Sequence, residues 1–293
     1  MTPESNSDSK NLHARRNTLN DLTGKQWVQL TKSWFTLKVR PRSNSELSHP
    51  GKFPSELVSR FLSFFTKKYG WVIDPFLGLG STLQACKQLE RNGIGIELNP
   101  VYVKAAKKNL AQKSLFGTTA QTIMQGNALE LDILLERHSE KVGSEIKFDF
   151  CMTSPPYWSM LNKHRGGSES QHRDRKEKGL PLVYSKDLQN DIGNIEGYNE
   201  YLEKVFSVFR KLKPFMKEKG YLVVVLQNIR DEFGNFIPIA WDFSNLMKEL
   251  YVRRQEQIWC QTDKKLGIWG YPTTYVANVH HHYCLIFQKQ KKP

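Results

Sequence analysis

The chain is short of acidic residues, sparing with cysteine and free of long apolar runs, and each shortage excludes something. Twenty-nine Asp and Glu stand against 43 Lys and Arg, a formal charge of +14 over 293 residues. Residues 1–25 hold four basic and three acidic side chains and so contribute only +1, which leaves the excess on the body of the protein. A basic body suits a polyanion, because each phosphate it neutralises releases condensed counterions. The cysteines, Cys86, Cys151, Cys260 and Cys284, are scattered, with no C-x-x-C pair and no zinc spacing. Three of them lie in apolar runs, the pattern of buried thiols in a reducing compartment rather than of a disulfide framework. No stretch approaches the roughly 20 apolar residues of a membrane span, and the polar start of the chain lacks a signal-peptide core. Repeats and low-complexity blocks are also missing. The expectation is a soluble, cytoplasmic protein with no membrane partner.

What is present is a globular pattern: 39% hydrophobic residues, including seven Trp. Residues 1–25 are polar and weakly patterned and read as a mobile tail, with one domain over 26–293. From Pro54 helical and strand patterns alternate. Leu57, Val58, Phe61, Leu62, Phe64 and Phe65 recur at helical spacing, and Trp71–Phe76 reads as a short buried strand. A helix bearing Leu83, Cys86 and Leu89 follows, then a strand over Gly93–Leu98. Asn99-Pro100 is a strong helix start, an N-cap with proline at the first helical position, and Tyr102, Ala105, Ala106 and Leu110 supply that helix's face. Further strands are expected at Gln121–Gln125, Phe148–Met152, Tyr221–Leu226, near Gln257–Gln261 and at Tyr283–Gln288. Helices are expected from Tyr198 to Leu212 and near Ala240–Leu250. Seven strands with helices between most of them give an α/β class: a doubly wound, mostly parallel, Rossmann-like sheet. Residues 158–196, 39 positions rich in polar and charged side chains and without clear periodicity, break the rhythm and read as a functional insertion.

Two loops carry chemistry. In open α/β sheets, ligands sit at the carboxyl ends of strands beside the switch point. Asp74-Pro75-Phe76-Leu77-Gly78-Leu79-Gly80-Ser81-Thr82 holds that position after the first long strand, its glycines allowing a tight turn and close backbone approach. Glu97 closes the next strand 23 residues after Asp74, near the spacing at which an acidic side chain meets ribose hydroxyls. A third glycine is missing, since position 83 is Leu. That favours a nucleoside ligand with an uncharged linker over a dinucleotide pyrophosphate. A turn with no ligand and a solvated strand end are the plainer readings of these residues.

The second loop is Ser154-Pro155-Pro156-Tyr157-Trp158, directly after the strand ending at Met152-Thr153. Consecutive prolines cannot continue a central strand, so the loop is rigid and its carbonyls are free. Such a loop suits methylation of an exocyclic base amine, whose lone pair is delocalised into the ring. Hydrogen bonds accepted from the amine by Ser154 Oγ and the Pro155 carbonyl would draw the nitrogen toward tetrahedral geometry, ready to attack a sulfonium methyl. Tyr157 would stack on a base taken out of the duplex. A rigid turn that only ends a strand is the plainer alternative.

These residues resemble the amino-directed DNA methyltransferases, the N4-cytosine and N6-adenine enzymes. Their D-P-F-x-G-x-G-[ST]-T cofactor motif is filled at each fixed position by Asp74–Thr82, and their [SDN]-P-P-[YFW] catalytic motif by Ser154–Tyr157. His49–Pro54, with Lys52 and Phe53, is similar to the family segment that helps enclose the methionine moiety; Gly95–Asn99, with Glu97 and Leu98, is similar to its ribose-binding strand end. The resemblance runs from about residue 26 to 290. It implies S-adenosyl-L-methionine as cofactor, held by Lys52, Phe53, Asp74, Pro75, Phe76, Gly78, Gly80, Ser81, Thr82, Glu97, Leu98 and Asn127. Asn127 stands where the family often has an acidic residue holding the adenine. Ser154, Pro155, Pro156 and Tyr157 are implied as catalytic. Ser at 154 resembles the cytosine-N4 branch, with adenine N6 as the alternative. The order of the two motifs is reversed in many small members with S-P-P-Y, a circular permutation that preserves the sheet.

The implied partner is double-stranded DNA, with a cognate restriction endonuclease as a further partner. Within 158–196, Trp158, Lys163, Arg165, Arg173, Arg175 and Lys176 are candidate DNA contacts, Arg reading guanine edges and Lys holding phosphate. Arg253, Arg254, Lys264 and Lys265, with Trp269, Tyr271 and Tyr275, form a second candidate surface. His280-His281-His282 alternates across a strand start without a Cys or carboxylate at ligand spacing, so no metal is expected. The competing readings are an RNA or protein-amide methyltransferase and a non-catalytic nucleic-acid-binding subunit.

Overall fold

The computed structural model describes residues 17–38, 53–111, 119–158, 190–230, 235–264, 266–268 and 270–290. Lys52 and the insertion residues Lys163, Arg165, Arg173, Arg175 and Lys176 lie outside them, as do Lys265 and Trp269.

The chain enters through helix α1 (Gly24–Leu30) and the edge strand β1 (Trp34–Phe35), then alternates: α2 (Ser55–Phe65), β2 (Trp71–Asp74), α3 (Ser81–Gln88), β3 (Asn92–Glu97), α4 (Pro100–Leu110), β4 (Gln121–Gln125), α5 (Leu131–Val142), β5 (Phe148–Thr153), α6 (Tyr198–Leu212) and β6 (Met216–Leu226). A two-strand ribbon, β7 (Ile229–Arg230) with β8 (Phe236–Ile237), precedes α7 (Ile239–Met247), β9 (Val252–Cys260) and β10 (His281–Gln288). The main sheet has eight strands in the order β1-β9-β10-β6-β5-β2-β3-β4. Strand β10 is antiparallel to both neighbours; the other pairings are parallel.

All seven expected strands are present. The sheet gains β1, which pairs through only Trp34 and Phe35 and is too short to carry a period-two signature. Strand β6 begins at Met216 rather than Tyr221, and β9 at Val252 rather than Gln257. Both extensions carry exposed polar side chains, so alternation there is lost to solvent on both faces. Residues 17–25, read as tail, are instead tied to α2: Asn20 is buried and its Nδ2 donates to the Phe64 carbonyl, while Lys67 Nζ donates to the Asn17 carbonyl. These are polar contacts between distant segments, for which a one-dimensional pattern holds no signal.

Two apolar layers sandwich the sheet. One packs α5, α6 and α7 through Leu135, Phe206, Phe209 and Phe243; the other packs α2 and α3 through Leu57, Phe61, Phe65 and Cys86. Strand β2 is covered on both faces, with Val72 in the second layer and Ile73 in the first, as a central parallel strand requires. The chain adds β3 and β4 on one side of β2, then crosses to add β5 and β6 on the other. The connections therefore diverge between β2 and β5, and a crevice is left beyond their carboxyl ends. Cys86, Cys151 and Cys284 are buried free thiols, as their apolar settings imply. Among the described residues, no helix is long and apolar enough to cross a membrane.

Candidate active site

A cleft occupies that crevice. Its floor is the turn after β2, lined by Pro75, Phe76, Leu77, Gly78 and Leu79, and continues to Ser81 on α3. One wall is the end of β3, Ile96, Glu97 and Leu98; Ser154 and Pro156 after β5 form the facing wall. Phe53, Tyr102, Asn127, Ala128 and the segment Asn190-Asp191-Ile192 complete it. The two loops singled out in the sequence thus share one cavity on adjacent strands.

The turn after β2 is held by Asp74, which is fully buried and does not line the cleft. Its Oδ1 accepts from Thr153 Oγ1 at 2.6 Å and from Phe76 N at 3.0 Å; its Oδ2 accepts from Thr82 Oγ1 at 2.5 Å. One carboxyl therefore ties the end of β2 to the end of β5 and the start of α3. Burial pushes its pKa up to about 6, against the opposing pull of those three hydrogen bonds. Gly78 and Gly80 both have positive φ, 55° and 87°. A Cβ on Gly80 would also stand 3.2 Å from that of Ala106, so this corner is closed by backbone freedom and close packing on α4. Ser81 Oγ donates to the Phe53 carbonyl at 2.9 Å, which fixes Phe53 over the cleft.

Glu97 has both carboxylate oxygens engaged: Oε2 accepts from Gly78 N and Oε1 from Asn99 N, each at 2.8 Å. Burial raises its pKa to about 7 despite those bonds, with Asp191 and Asp74 adding smaller repulsions. Each oxygen retains a further acceptor site for a hydroxyl. Asn99 caps α4 by accepting from Val101 N, as its place before Pro100 implies. Asn127 likewise accepts from Leu129 N while lining the cleft.

On the facing wall, Ser154 Oγ donates to the Val225 carbonyl of β6 at 2.9 Å. Its proton is thereby placed, and the oxygen's lone pairs face elsewhere. Tyr201 of α6 donates its hydroxyl to the Pro156 carbonyl at 2.9 Å, clamping the loop from below. Tyr157 is 8% exposed and belongs to the core layer of α6, so a base could stack on its face only after the covering groups move. Beneath it lies His282, whose ring centroid is 6.3 Å from that of Tyr157 and 5.0 Å from that of Trp259. Burial lowers the His282 pKa to about 3, leaving a neutral ring packed among aromatics. Among the described residues no cluster of three His, Cys, Asp or Glu could hold a metal ion.

Of the expected cofactor residues, Phe53, Pro75, Phe76, Gly78, Ser81, Glu97, Leu98 and Asn127 line the cleft; Asp74, Gly80 and Thr82 stand behind it. Of the expected catalytic residues, Ser154 and Pro156 line it, while Pro155 and Tyr157 do not. Tyr102, Asp191 and Ile192 were not foreseen there. Tyr102 carries the ordinary signal of a core helix face, and Asp191 lies within an aperiodic stretch where one carboxylate has no distinguishing context. Of the insertion's expected DNA contacts, Trp158 is described: its Nε1 donates to the Glu196 carbonyl at 3.1 Å, and its ring packs on Tyr198 at 5.1 Å. The second basic surface does not hold together. Lys264 lies beyond the carboxyl end of β9, but Arg253 and Arg254 sit at its opposite end, bonded to Ser244 and Gln288.

Residues 2–108 match the model of a DNA methylase family. The type II methyltransferase M.HpaI of Haemophilus parainfluenzae is 39% identical over 77 residues, covering 26% of this chain and 24% of that protein. M2.DpnII of Streptococcus pneumoniae is 36% identical over 92 residues, 31% and 32% of the two chains, and M.BglI of Bacillus subtilis 29% identical over 135, 42% and 38%. The matches thus span between about a quarter and two fifths of these relatives' lengths. The resemblance to the amino-directed methyltransferases, first seen in two short motifs, extends to the family model and to curated relatives.

Proposed function

We propose that this protein is a DNA methyltransferase that moves a methyl group from S-adenosyl-L-methionine to an exocyclic amine, the N4 of cytosine. The observation that carries the reading is the shared cleft, with the turn after β2 and Glu97 on one side and Ser154 and Pro156 on the other. The names of its relatives, type II methyltransferases, agree with it.

The cleft suits the cofactor. Its lining combines apolar side chains with a few convergent polar groups, the make-up of a small-ligand site. Glu97 offers two acceptors to ribose hydroxyls; Asn127 offers an amide at the adenine end; Phe53 and Phe76 supply apolar cover. Asp74, Gly80 and Thr82 serve by holding the turn in shape, and Lys52 is assigned to the methionine end from the motif it belongs to. When bound, S-adenosyl-L-methionine supplies an electrophilic methyl group on sulfur. Everything else is done by the chain. With its proton donated to the Val225 carbonyl and the Tyr157 hydroxyl as its side-chain neighbour, Ser154 Oγ is left to act toward a substrate as an acceptor, which is what an amine N–H requires. Pro155 has its carbonyl between two rigid residues and serves as the second acceptor. Together they localise the amine's lone pair and stabilise the positive charge that develops on nitrogen as its bond to the methyl forms and the methyl–sulfur bond breaks; the surplus N–H proton then leaves to solvent. Tyr157, once uncovered, stacks on the extruded base.

Target DNA is held by the positive body and by Trp158, Lys163, Arg165, Arg173, Arg175 and Lys176 of the 158–196 insertion within a single catalytic domain over 26–293. A cognate restriction endonuclease is the partner activity that this reading implies. Serine at 154 favours cytosine over adenine N6. Expressing the chain in a host free of DNA methylation and sequencing the methylome tests this: N4-methylcytosine in one sequence context is expected. N6-methyladenine would transfer the reading to the other amine, and unmodified DNA would overturn it. Ser154→Ala should abolish most methylation while cofactor binding persists.

A further inference from the structure

Four of the large hydrophobic residues that stand exposed among the described residues fall within ten positions of the β9–β10 connection: Leu266, Ile268, Tyr271 and Tyr275, the last three at 86%, 82% and 89% exposure. The connection is tied to itself rather than loose. The Asn278 side chain bonds Gly267 twice, its Oδ1 accepting from Gly267 N and its Nδ2 donating to the Gly267 carbonyl, each at 2.9 Å. Thr273 N and Thr274 N both donate to the Gly270 carbonyl. Gly270 has φ +70°, and a Cβ there would meet the Thr274 carbonyl oxygen at 2.1 Å. Lys264 Nζ donates to the Val279 carbonyl and closes the root. The backbone is thus spent on internal bonds while the apolar side chains point into water. Clustered apolar exposure on a built scaffold marks a contact surface.

Its position and charge select the partner. Cys260 pairs with His281, Tyr283 with Leu226, and Val224 with Thr153, so the connection leaves the sheet at the end where Ser154 sits. Strand β10 is two strands from β5, roughly 10 Å at ordinary strand spacing. The connection, residues 261–280, carries Lys264 and Lys265 against Asp263, on a body whose formal charge is +14. A partner for this tip bears negative charge on its outside and accepts flat apolar groups between its layers, which describes a base-paired duplex. We propose that the tip is a wedge, in which Ile268, Tyr271 and Tyr275 enter the duplex beside the target and fill the stack that the extruded base leaves. The proposal rests on the DNA-methylation reading. Apolar side chains inserted at a base step offset the cost of unstacking, a cost that is least where the base is already mispaired.

The test compares Tyr271→Ala/Tyr275→Ala and Ile268→Ala with the wild-type chain, on duplexes carrying the site that methylome sequencing defines. One duplex is fully paired; the other has a mismatch opposite the target base. On paired duplex the variants should lose about tenfold in kcat/KM; on mismatched duplex, less than about threefold. Affinity for S-adenosyl-L-methionine, by calorimetry, should be unchanged, which also shows that the variants fold. Equal losses on both duplexes, or none on either, would overturn the wedge. Loss of a wild-type dimer on sedimentation with methylation intact would overturn it too, and assign the tip to a second copy of the chain. A wild-type chain that binds cofactor but methylates neither duplex would sink the methylation reading itself, a result distinct from any of these.

Discussion

On the proposed reading, in which Glu97 receives the ribose hydroxyls, cofactor binding is a proton-linked event. With the Glu97 pKa raised to about 7 by burial, roughly nine tenths of the free protein is protonated there near pH 6, and about a tenth near pH 8. A protonated carboxyl presents one poor acceptor and one donor, whereas two ribose hydroxyls call for two acceptors. Hydroxyl donors would favour the ionised form and draw the pKa back toward the ordinary carboxylate range. Affinity for S-adenosyl-L-methionine should therefore be about tenfold weaker near pH 6 than near pH 8, with most of a proton released per cofactor bound near pH 6. Calorimetry in buffers of differing ionisation enthalpy measures both quantities. Glu97→Gln cannot titrate, so its affinity should be lower and flat with pH. Two outcomes would refute the reasoning: flat wild-type affinity between pH 6 and 8 without proton release, or full pH dependence surviving in the Glu97→Gln variant.

The same raised pKa acts on stability. A carboxyl that holds its proton more tightly when folded stabilises the fold below its unfolded pKa and loses that contribution as pH rises through the folded one. Glu97 and Asp74, at about 7 and about 6 against ordinary values of 4.5 and 3.8, should thus raise the cofactor-free Tm as pH falls from about 7 toward 4.5. A scan in which these two groups contribute nothing would show no difference from Glu97→Gln over that window. Thr153→Val removes one of three hydrogen bonds to buried Asp74 and should cost about 1–3 kcal/mol in urea unfolding; a smaller loss would mean the hub is solvated. Gly80→Ala, strained at φ 87° and pressed on Ala106, should cost about 1–2 kcal/mol. Tyr201→Phe frees the Pro156 carbonyl and should slow methyl transfer with little change in cofactor affinity; parallel losses in both would make Tyr201 a general packing residue instead.

Local sequence determined much of this molecule. Short, largely apolar stretches such as Phe148–Thr153 have few options other than a buried strand, Asn99-Pro100 has few other than a helix start, and Gly78 and Gly80 announce a turn that other residues resist. The pairing of an acidic strand end at Glu97 with a proline-locked loop at Ser154 was legible because both are written in contiguous residues. Tertiary structure alone decided what depends on adjacency across the sheet. Asp74 reads like a ligand residue in one dimension, yet packing of β2 against β5 turns it inward to Thr153 and Thr82. Asp191 reaches the cleft only because Gly193 packs on Pro156 and Asp191 caps its own short turn. Arg254 and Lys264, ten positions apart, are separated by the length of β9, since an extended strand gains over 3 Å per residue. Hydrophobic spacing specifies which face of an element is buried; it does not specify which neighbour will cover that face, and the roles of side chains follow from the neighbour.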